Sequence, residues 1–233
     1  MRLCVIPARG GSKRIPRKNI KEFIGKPIIA YSIKAAIDSK CFDKVIVSTD
    51  DLEIAKIAKS FGADIPFMRP EELSNDFAGI SSVSKHAIEW FENNKQVVNE
   101  VCCLFATAPF VQVNTIIKAY EQMKREKAEC CFTATSFEFP IQRAIKISEN
   151  NRVAMINPES YEARSQDLDK AYHDAGQLYW AKAEFFKKNK TIFSIDSTPY
   201  ILPRNLVQDI DNSDDWQRAE LMYEVLKQRG DKS

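Results

Sequence analysis

This sequence of 233 residues has few histidines and glycines, and its cysteines form no pattern typical of a metal site. It has two histidines and seven glycines, and its six cysteines form no CxxC pair and no Cys/His spacing typical of zinc sites. Four of the cysteines occur as two adjacent pairs, 102–103 and 130–131, within apolar runs. Because neighbouring residues on a strand point to opposite faces, we expect these thiols to be buried apolar side chains in a reduced, cytoplasmic protein.

An excess of charge of one sign and long apolar runs are also missing. The formal net charge is +2, whereas proteins that coat nucleic acid or acidic membranes usually carry a large basic excess. No stretch approaches the roughly 20 apolar residues of a membrane span, and the apolar run before Arg9 is too short for a signal peptide. The sequence therefore predicts a protein that binds neither nucleic acid nor membrane.

The charge that is present is concentrated near the start of the chain. Residues 1–26 contain eight Lys and Arg against one Glu, which leaves 26 basic and 31 acidic residues in the rest of the chain. Five of the eight basic residues lie in PARGGSKRIPRKNI, on either side of the adjacent pair Gly10 and Gly11. Such a local concentration indicates a binding site for an anion rather than a coating surface.

Apolar runs and helical periods alternate along the first two thirds of the chain. The patterns predict strands at 3–8, 44–50, 64–68, 101–106 and 130–136, and helices at 27–39, 51–62, 80–93 and 114–127. This alternation is typical of an α/β fold in which a mostly parallel sheet is covered by helices on both faces. We expect one domain over 1–233, with an inserted sub-domain or dimerisation region at approximately 138–180.

The basic stretch follows the first predicted strand, where ligands of α/β sheets usually bind. It matches neither the GxxxxGK[ST] phosphate loop nor the GxGxxG dinucleotide motif. Several cations and exposed backbone amides suit a triphosphate. The alternative interpretation is a solvated basic loop without a ligand.

A pair of carboxylates lies near the other end of the sequence, in QDID. Asp209 and Asp211 are two residues apart, so on an extended segment both point to one side. Two carboxylates suit Mg²⁺, which completes its shell with phosphates and water. Alternatively, Asp211 or Asn212 only caps the last predicted helix.

A dense set of polar residues lies between these two motifs, in FPIQRA and ARSQDLDKAYHDAGQLYW. Polyhydroxylated ligands need many hydrogen-bonding groups, and Arg offers a bidentate partner to a carboxylate. The alternative is a polar surface strand and loop. His173 is either a site residue or structural, while His86 lies on a predicted helix among apolar residues and is expected to lie outside the site.

These motifs resemble those of the nonulosonic acid cytidylyltransferases. The signature IPARGGSKRIPRKNI is followed in the same order by GKPIIAYSI, STDD, RPEELSND, LFATAPF and QDID, so the resemblance covers essentially the whole chain. Members that act on N-acetylneuraminate usually have QPTSP where this chain has FATAP, from Phe105, which disfavours that substrate. FPIQRA and RSQDLDKAYHDAGQLYW are most similar to members that act on pseudaminic acid.

The resemblance implies a Rossmann-like nucleotidyltransferase fold, a homodimer, and transfer of CMP from CTP to the anomeric hydroxyl of a nine-carbon 2-keto sugar acid with release of pyrophosphate. Arg9 and Lys18 would act in catalysis beside the phosphates, and Asp209 and Asp211 would hold Mg²⁺. The implied CTP contacts are Ala8, Arg9, Gly10, Gly11, Ser12, Lys18, Asn19 and Thr107. The candidate sugar contacts are Gln142, Arg143, Arg164, His173, Gln177 and Tyr179.

Other functions fit parts of the same pattern. Within the family, legionaminic or N-acetylneuraminic acid would be the acceptor instead. A transferase for sugar phosphates or an octulosonate cytidylyltransferase would share the fold and the basic loop. A glycosyltransferase would use paired aspartates on a sugar nucleotide. A non-catalytic nucleotide- or RNA-binding module would need wider basic coverage and exposed aromatic residues for stacking, and neither is evident in the sequence.

Overall fold

A six-stranded sheet forms the centre of the protein. The structure is a computed structural model that describes residues 1–76 and 78–230. The strands of the described part are β1 (Arg2–Pro7), β2 (Glu22–Phe23), β3 (Lys26–Pro27), β4 (Lys44–Ser48), β5 (Glu100–Leu104), β6 (Cys130–Ser136), β7 (Ile145–Ile147), β8 (Val153–Met155), β9 (Tyr172–Lys182) and β10 (Ser197–Ile201). The central sheet has the order β10-β6-β9-β5-β1-β4. All neighbours in it are parallel except β9, which runs antiparallel to β5 and β6.

Helices cover both faces of this sheet. They are α1 (Ile29–Ser39), α2 (Leu52–Ser60), α3 (Ile80–Asn93), α4 (Val113–Arg125), α5 (Ala183–Lys187) and α6 (Ser213–Gln228). On one face, α1, α2 and α4 bury residues against Cys4 and Cys102; on the other, α3 and α5 bury residues against Leu3 and Cys103. The adjacent cysteines therefore point to opposite faces and all six thiols are buried, as the sequence predicted. Burial raises the pKa of Cys103 to about 12, so this thiol stays protonated.

A third apolar cluster joins the two ends of the chain. Ile15 from the basic loop and Ile210 from the QDID segment are both buried in it, together with Phe23 and Trp216. The rings of Phe23 and Trp216 meet edge to face, 5.6 Å apart. This packing holds α6 against the β2–β3 hairpin, and it brings the acidic pair next to the basic loop.

The predicted elements agree with the structure within a few residues, with one exception. Residues 64–68 do not form a strand; Asp64 makes only an isolated bridge to Ile46. Pro66 lacks a backbone N–H, so it cannot donate to a ladder there.

The region predicted as an insertion, 138–180, contains the separate β7–β8 hairpin. The predicted boundary at 180 lies inside β9, which is a strand of the central sheet.

The starts of two helices are fixed by side chains. Asp51 caps α2 by accepting hydrogen bonds from the backbone N–H groups of Glu53 and Ile54, both at 2.9 Å. Asn212, not Asp211, caps α6, in a capping box with Asp215. Asp211 contributes only its backbone N–H, which donates to Asp215 Oδ2 at 3.0 Å. Its carboxylate is therefore free of the cap.

Candidate active site

A cavity of about 620 Å³ lies beyond the carboxyl ends of β1 and β5. The basic loop contributes four cations to its wall, Arg9, Lys13, Arg14 and Lys18. Of the predicted CTP contacts, five line this cavity: Arg9, Ser12, Lys18, Asn19 and Thr107. The concentration of positive charge makes it a site for an anion such as a polyphosphate.

The other three predicted contacts, Ala8, Gly10 and Gly11, do not line this cavity. Ala8 is fully buried, and its backbone N–H donates to Ser48 O at 2.9 Å. Gly10 N donates to Asp50 Oδ1 at 2.9 Å. A Cβ on Gly10 would lie 2.8 Å from Asp51 Oδ2, whereas a Cβ on Gly11 would meet nothing within 4 Å. Packing within the protein therefore explains the first glycine but not the second.

Arg17 anchors the loop instead of facing the cavity. Its guanidinium donates to both oxygens of Asp51, at 2.5 and 3.0 Å, and to Glu53 at 2.5 Å. The hydrogen bond from Arg17 is the main cause that lowers the pKa of Asp51 to about 2. A bidentate pair of this kind fixes the orientation of both partners, so it holds the loop on the first turn of α2.

The other cations of the loop are paired with two carboxylates. Asp76 accepts from Arg9 Nη1 at 2.6 Å and from Lys13 Nζ at 2.5 Å. These two cations, Lys13 first, lower the pKa of Asp76. Asp211 Oδ1 accepts from Arg14 Nη2 at 2.9 Å. A phosphate that binds here must therefore compete with protein carboxylates.

Sequence reasoning missed Arg69, which also lines this cavity. Its side chain is only 4% exposed, and Nε and Nη2 have no hydrogen-bond partner among the described residues. Nη2 lies 3.8 Å from Asp50 Oδ1, and burial lowers the pKa of the guanidinium. A buried guanidinium with unused donors indicates a missing hydrogen-bond partner. The signal in the sequence was an arginine directly after the apolar run that ends at Met68.

Lys18 connects the basic loop to the acidic pair. Its Nζ donates to Ile210 O at 2.7 Å and lies 3.8 Å from Asp211 Oδ1. Burial lowers the pKa of Lys18, although Asp211 and Asp209 oppose that effect. Two segments separated by about 190 residues therefore meet at one ammonium group.

Asp209 and Asp211 fit the requirements of a divalent cation. Burial raises the pKa of Asp209, and repulsion from Asp211 adds to the effect, so a cation beside the pair would relieve an unfavourable arrangement of charge. No cluster of three or more Asp, Glu, His or Cys that suits a metal occurs in residues 1–76 and 78–230. Two protein carboxylates, completed by phosphate and water, are a common environment for Mg²⁺.

A second cavity, of about 1070 Å³, adjoins the first at Phe105, which lines both. Asp209 lines this second cavity, as do two of the predicted sugar contacts, His173 and Tyr179. Sequence reasoning missed four charged residues of its wall, Glu138, Asp174, Arg204 and Arg218. Asp174 follows His173 directly and Arg204 precedes QDID, so proximity to predicted motifs was the available signal; Arg218, within α6, had none.

The remaining predicted sugar contacts do not line this cavity. Gln177 is buried, donates from Nε2 to Leu206 O at 2.5 Å, and has no hydrogen-bond partner for Oε1 within the described part of the chain. Gln142 donates to Asp169 O at 2.8 Å. Arg143 lines a separate groove beside β7, and Arg164 is exposed. Their role in sugar binding stays a prediction.

The basic cavity, the neighbouring acidic pair and the mostly parallel sheet together define a nucleotide-binding α/β protein. The profile of the cytidylyltransferase family matches residues 3–227. The chain therefore belongs to the cytidylyltransferase family, which confirms the resemblance seen in its motifs and the expectation of a CTP-dependent nucleotidyltransferase. Cytidylyltransferases of this kind generally use a divalent metal ion.

Individual relatives are similar to the chain over nearly their whole length. The chain is 48% identical over 223 residues to the pseudaminic acid cytidylyltransferase of Campylobacter jejuni subsp. jejuni serotype O:23/36, which covers 96% of each protein. It is 33% identical over 233 residues, again 96% of each protein, to the CMP-N,N'-diacetyllegionaminic acid synthase of Legionella pneumophila subsp. pneumophila.

A solved structure confirms the Rossmann-like fold. The chain superposes on CMP:2-keto-3-deoxy-manno-octonic acid synthetase, solved with CTP, with a TM-score of 0.68. The identity is 14%, and the match covers 96% of this chain and 98% of that one. Within the described residues, we find no helix with the length and apolar character needed to cross a membrane.

Proposed function

We propose that this protein transfers CMP from CTP to the anomeric hydroxyl of pseudaminic acid, with release of pyrophosphate. One observation carries the proposal: Lys18, in the wall of the basic cavity, donates to Ile210 between two aspartates, and one of these lines the second cavity. The triphosphate and acceptor cavities therefore adjoin the same acidic pair. The 48% identity to a pseudaminic acid cytidylyltransferase supports this choice of acceptor.

In this proposal the basic loop binds the triphosphate. Arg9 and Lys18 stabilise the charge on the departing pyrophosphate, and Lys13 and Arg14 add positive charge at the more exposed side. The acceptor oxygen attacks the α-phosphorus, the bond from that phosphorus to the bridging oxygen breaks, pyrophosphate leaves with the bonding electrons, and the hydroxyl proton passes to water. Such transfers depend mainly on alignment and on neutralised charge.

Asp209 and Asp211 would hold Mg²⁺. When bound, the ion neutralises phosphate charge and lowers the pKa of a coordinated hydroxyl. Lys18 then has a separate role, because its bond to Ile210 O fixes the backbone between the two carboxylates. To bind the metal ion, the carboxylate of Asp211 must give up its ion pair with Arg14, and that guanidinium is then available to phosphate.

The acceptor would occupy the second cavity. Arg204 and Arg218 line it and have no ion-pair partner among residues 1–76 and 78–230. An unpaired guanidinium is the preferred partner of a carboxylate, and the acceptor is a sugar acid. His173 supplies a further polar contact there, and Tyr179, whose hydroxyl donates to Asp174, lines the same cavity.

Pyrophosphate release with CTP, Mg²⁺ and a panel of acceptors tests the proposal. We expect turnover with pseudaminic acid to exceed that with legionaminic, N-acetylneuraminic and octulosonic acids. Preference for one of the other acids would overturn the assigned acceptor, and no turnover with any acid would overturn the transfer reaction.

The metal site is tested by Asp211→Asn. We expect a loss of turnover of roughly 100-fold or more, from loss of the cation that neutralises phosphate charge. Mn²⁺ binding followed by electron paramagnetic resonance should weaken in parallel, which gives a readout independent of activity. Asp214→Asn, an exposed change of the same charge on the first turn of α6, is the matched control. Wild-type Mn²⁺ affinity in Asp211→Asn would remove the pair from the metal site.

We further propose that the enzyme is a cytoplasmic homodimer that contacts its partner through the region at 138–180. The described part of this region exposes several large apolar side chains, among them Phe139, Ile145, Val153 and Tyr161. Exposed apolar surface concentrated in one region is typical of an interface. Light scattering that gives the mass of one chain at micromolar concentration would contradict the dimer.

A further inference from the structure

Strand β9 contains a large bulge beside the second cavity. On β6, Phe132 pairs with Tyr179 and Ala134 pairs with Asp174, so one residue of β6 lies opposite four residues of β9. Gly176, inside the bulge, has a φ of 61°, a left-handed conformation that glycine adopts without steric cost. Bulges next to active sites often redirect a side chain. Here the side chain at the end of the bulge is Asp174.

Two donors fix the carboxylate of Asp174. Gly176 N donates to Oδ1 at 2.9 Å, and the hydroxyl of Tyr179 donates to Oδ2. Tyr179 is only 3% exposed, and burial raises its pKa, with a further contribution from Asp174. The tyrosine therefore remains a proton donor, and the orientation of Asp174 is set by a buried group.

The fixed carboxylate of Asp174 faces the second cavity. Asp174 lines the second cavity and forms no ion pair within the described residues. Each of its oxygens accepts one hydrogen bond from the protein and can accept another. An ionised carboxylate repels the acid group of a sugar acid but accepts strongly from an N–H or O–H. Arg204 and Arg218, also in the wall, are the partners for the acid group.

From this arrangement we infer that Asp174 is a specificity residue for the acceptor, and that it accepts a hydrogen bond from an amide N–H on the sugar. The inference rests on the function proposed above and adds the residue that distinguishes one sugar acid from another. A hydroxyl at the same place could also donate. The experiment therefore compares acceptors that carry an acylamino group with one that carries only hydroxyls.

Asp174→Asn is the main variant, because it keeps the shape of the side chain and removes the charge. We expect kcat/KM for pseudaminic acid to fall about 10- to 100-fold, mainly through a higher KM for the sugar, since a hydrogen bond to a charged group is lost. The KM for CTP should stay within about twofold of wild type. Selectivity between pseudaminic acid and an all-hydroxyl octulosonic acid should narrow by a similar factor.

Two further variants separate recognition from folding. Tyr179→Phe removes only the hydroxyl that orients Asp174, so we expect a smaller rise in the same sugar KM. Asp38→Asn, an exposed change of the same charge on α1 that lines neither cavity, should leave both KM values at wild type. Thermal melts establish that all three variants fold.

The possible failures are distinguishable. An active enzyme whose sugar KM and selectivity are unchanged in Asp174→Asn would overturn this inference and leave the proposed function intact. Equal increases in both KM values, with a lower melting temperature, would also overturn it, because that pattern indicates a structural role. If kcat/KM of Asp174→Asn falls as much for the all-hydroxyl acid as for pseudaminic acid, the donor is a hydroxyl rather than an amide. This result would also overturn the inference. No turnover by the wild-type enzyme would overturn the function and the inference together.

Discussion

Asp76→Asn tests how strongly the protein's own carboxylates compete with CTP. Asp76 holds Arg9 at 2.6 Å and Lys13 at 2.5 Å, and both cations line the basic cavity. Exposed ion pairs of this kind are weak because water screens them. If the triphosphate replaces both pairs, removal of the charge on Asp76 should improve binding of CTP by about 2- to 30-fold.

Calorimetry with CTP and with pyrophosphate measures this difference directly. We expect pyrophosphate to gain as much as CTP, because both present phosphate oxygens to the same cations. The gain should shrink as the salt concentration rises, since exposed charges are screened within about 10 Å at 0.1 M salt and about 3 Å at 1 M. Asp38→Asn is the matched control, because Asp38 pairs with Lys34 on α1, at 2.8 Å, and lines neither cavity.

A decrease in the affinity for CTP would refute this reasoning. If Asp76→Asn weakens CTP binding while Asp38→Asn does not, then Asp76 orients Arg9 and Lys13 for the phosphates instead of competing with them. An unchanged affinity at low salt would mean that the two ion pairs persist in the complex. Either result would remove Asp76 as a competitor of the nucleotide.

Two more predictions concern the loop itself. Gly10→Ala should lower the free energy of unfolding by about 1–3 kcal/mol, because the added Cβ would meet Asp51. Gly11→Ala should leave the melting temperature unchanged and weaken CTP binding in calorimetry. Equal effects of the two substitutions would contradict this distinction. Asp51→Asn keeps the helix cap but loses the ion pair with Arg17, so it should cost about 1–2 kcal/mol at pH 7. Because the folded-state pKa of Asp51 is lowered to about 2 from 3.8, this contribution is present above about pH 4 and disappears as the pH falls through 2. Urea unfolding at pH 7 and at pH 3 should show the difference decrease.

Local patterns predicted most of the fold, but they did not place β9 in the central sheet. Helices such as α3 have a clear apolar period, and parallel strands such as β6 are continuous apolar runs. Strand β9 begins with Tyr172, His173 and Asp174, a polar stretch that resembles a surface loop. Its place between β5 and β6 depends on pairing with distant strands, which local pattern does not encode.

The sequence likewise predicted one part of the candidate site and missed another. The basic loop is contiguous in sequence, and four of the seven CTP contacts predicted within it line the cavity. Arg69 enters the site because its backbone N–H donates to Thr49 O, at 2.7 Å, just after β4, and Asp174 enters it because the start of β9 lies between β5 and β6. Arg143 and Arg164 were predicted from the polar composition of their segments, and neither lines the second cavity, so their role in sugar binding stays a prediction.

The apolar cluster of Ile15, Ile210 and Trp216 also sets the order in which the site can form during synthesis. Lys18 leaves the ribosome 191 residues before Asp209, which at typical rates of elongation is a delay of roughly 10–40 s. During that time the nascent chain has the cations that attract nucleotides but neither of the two aspartates. The core that attaches α6 to the loop therefore makes synthesis of α6 a late step of active-site assembly.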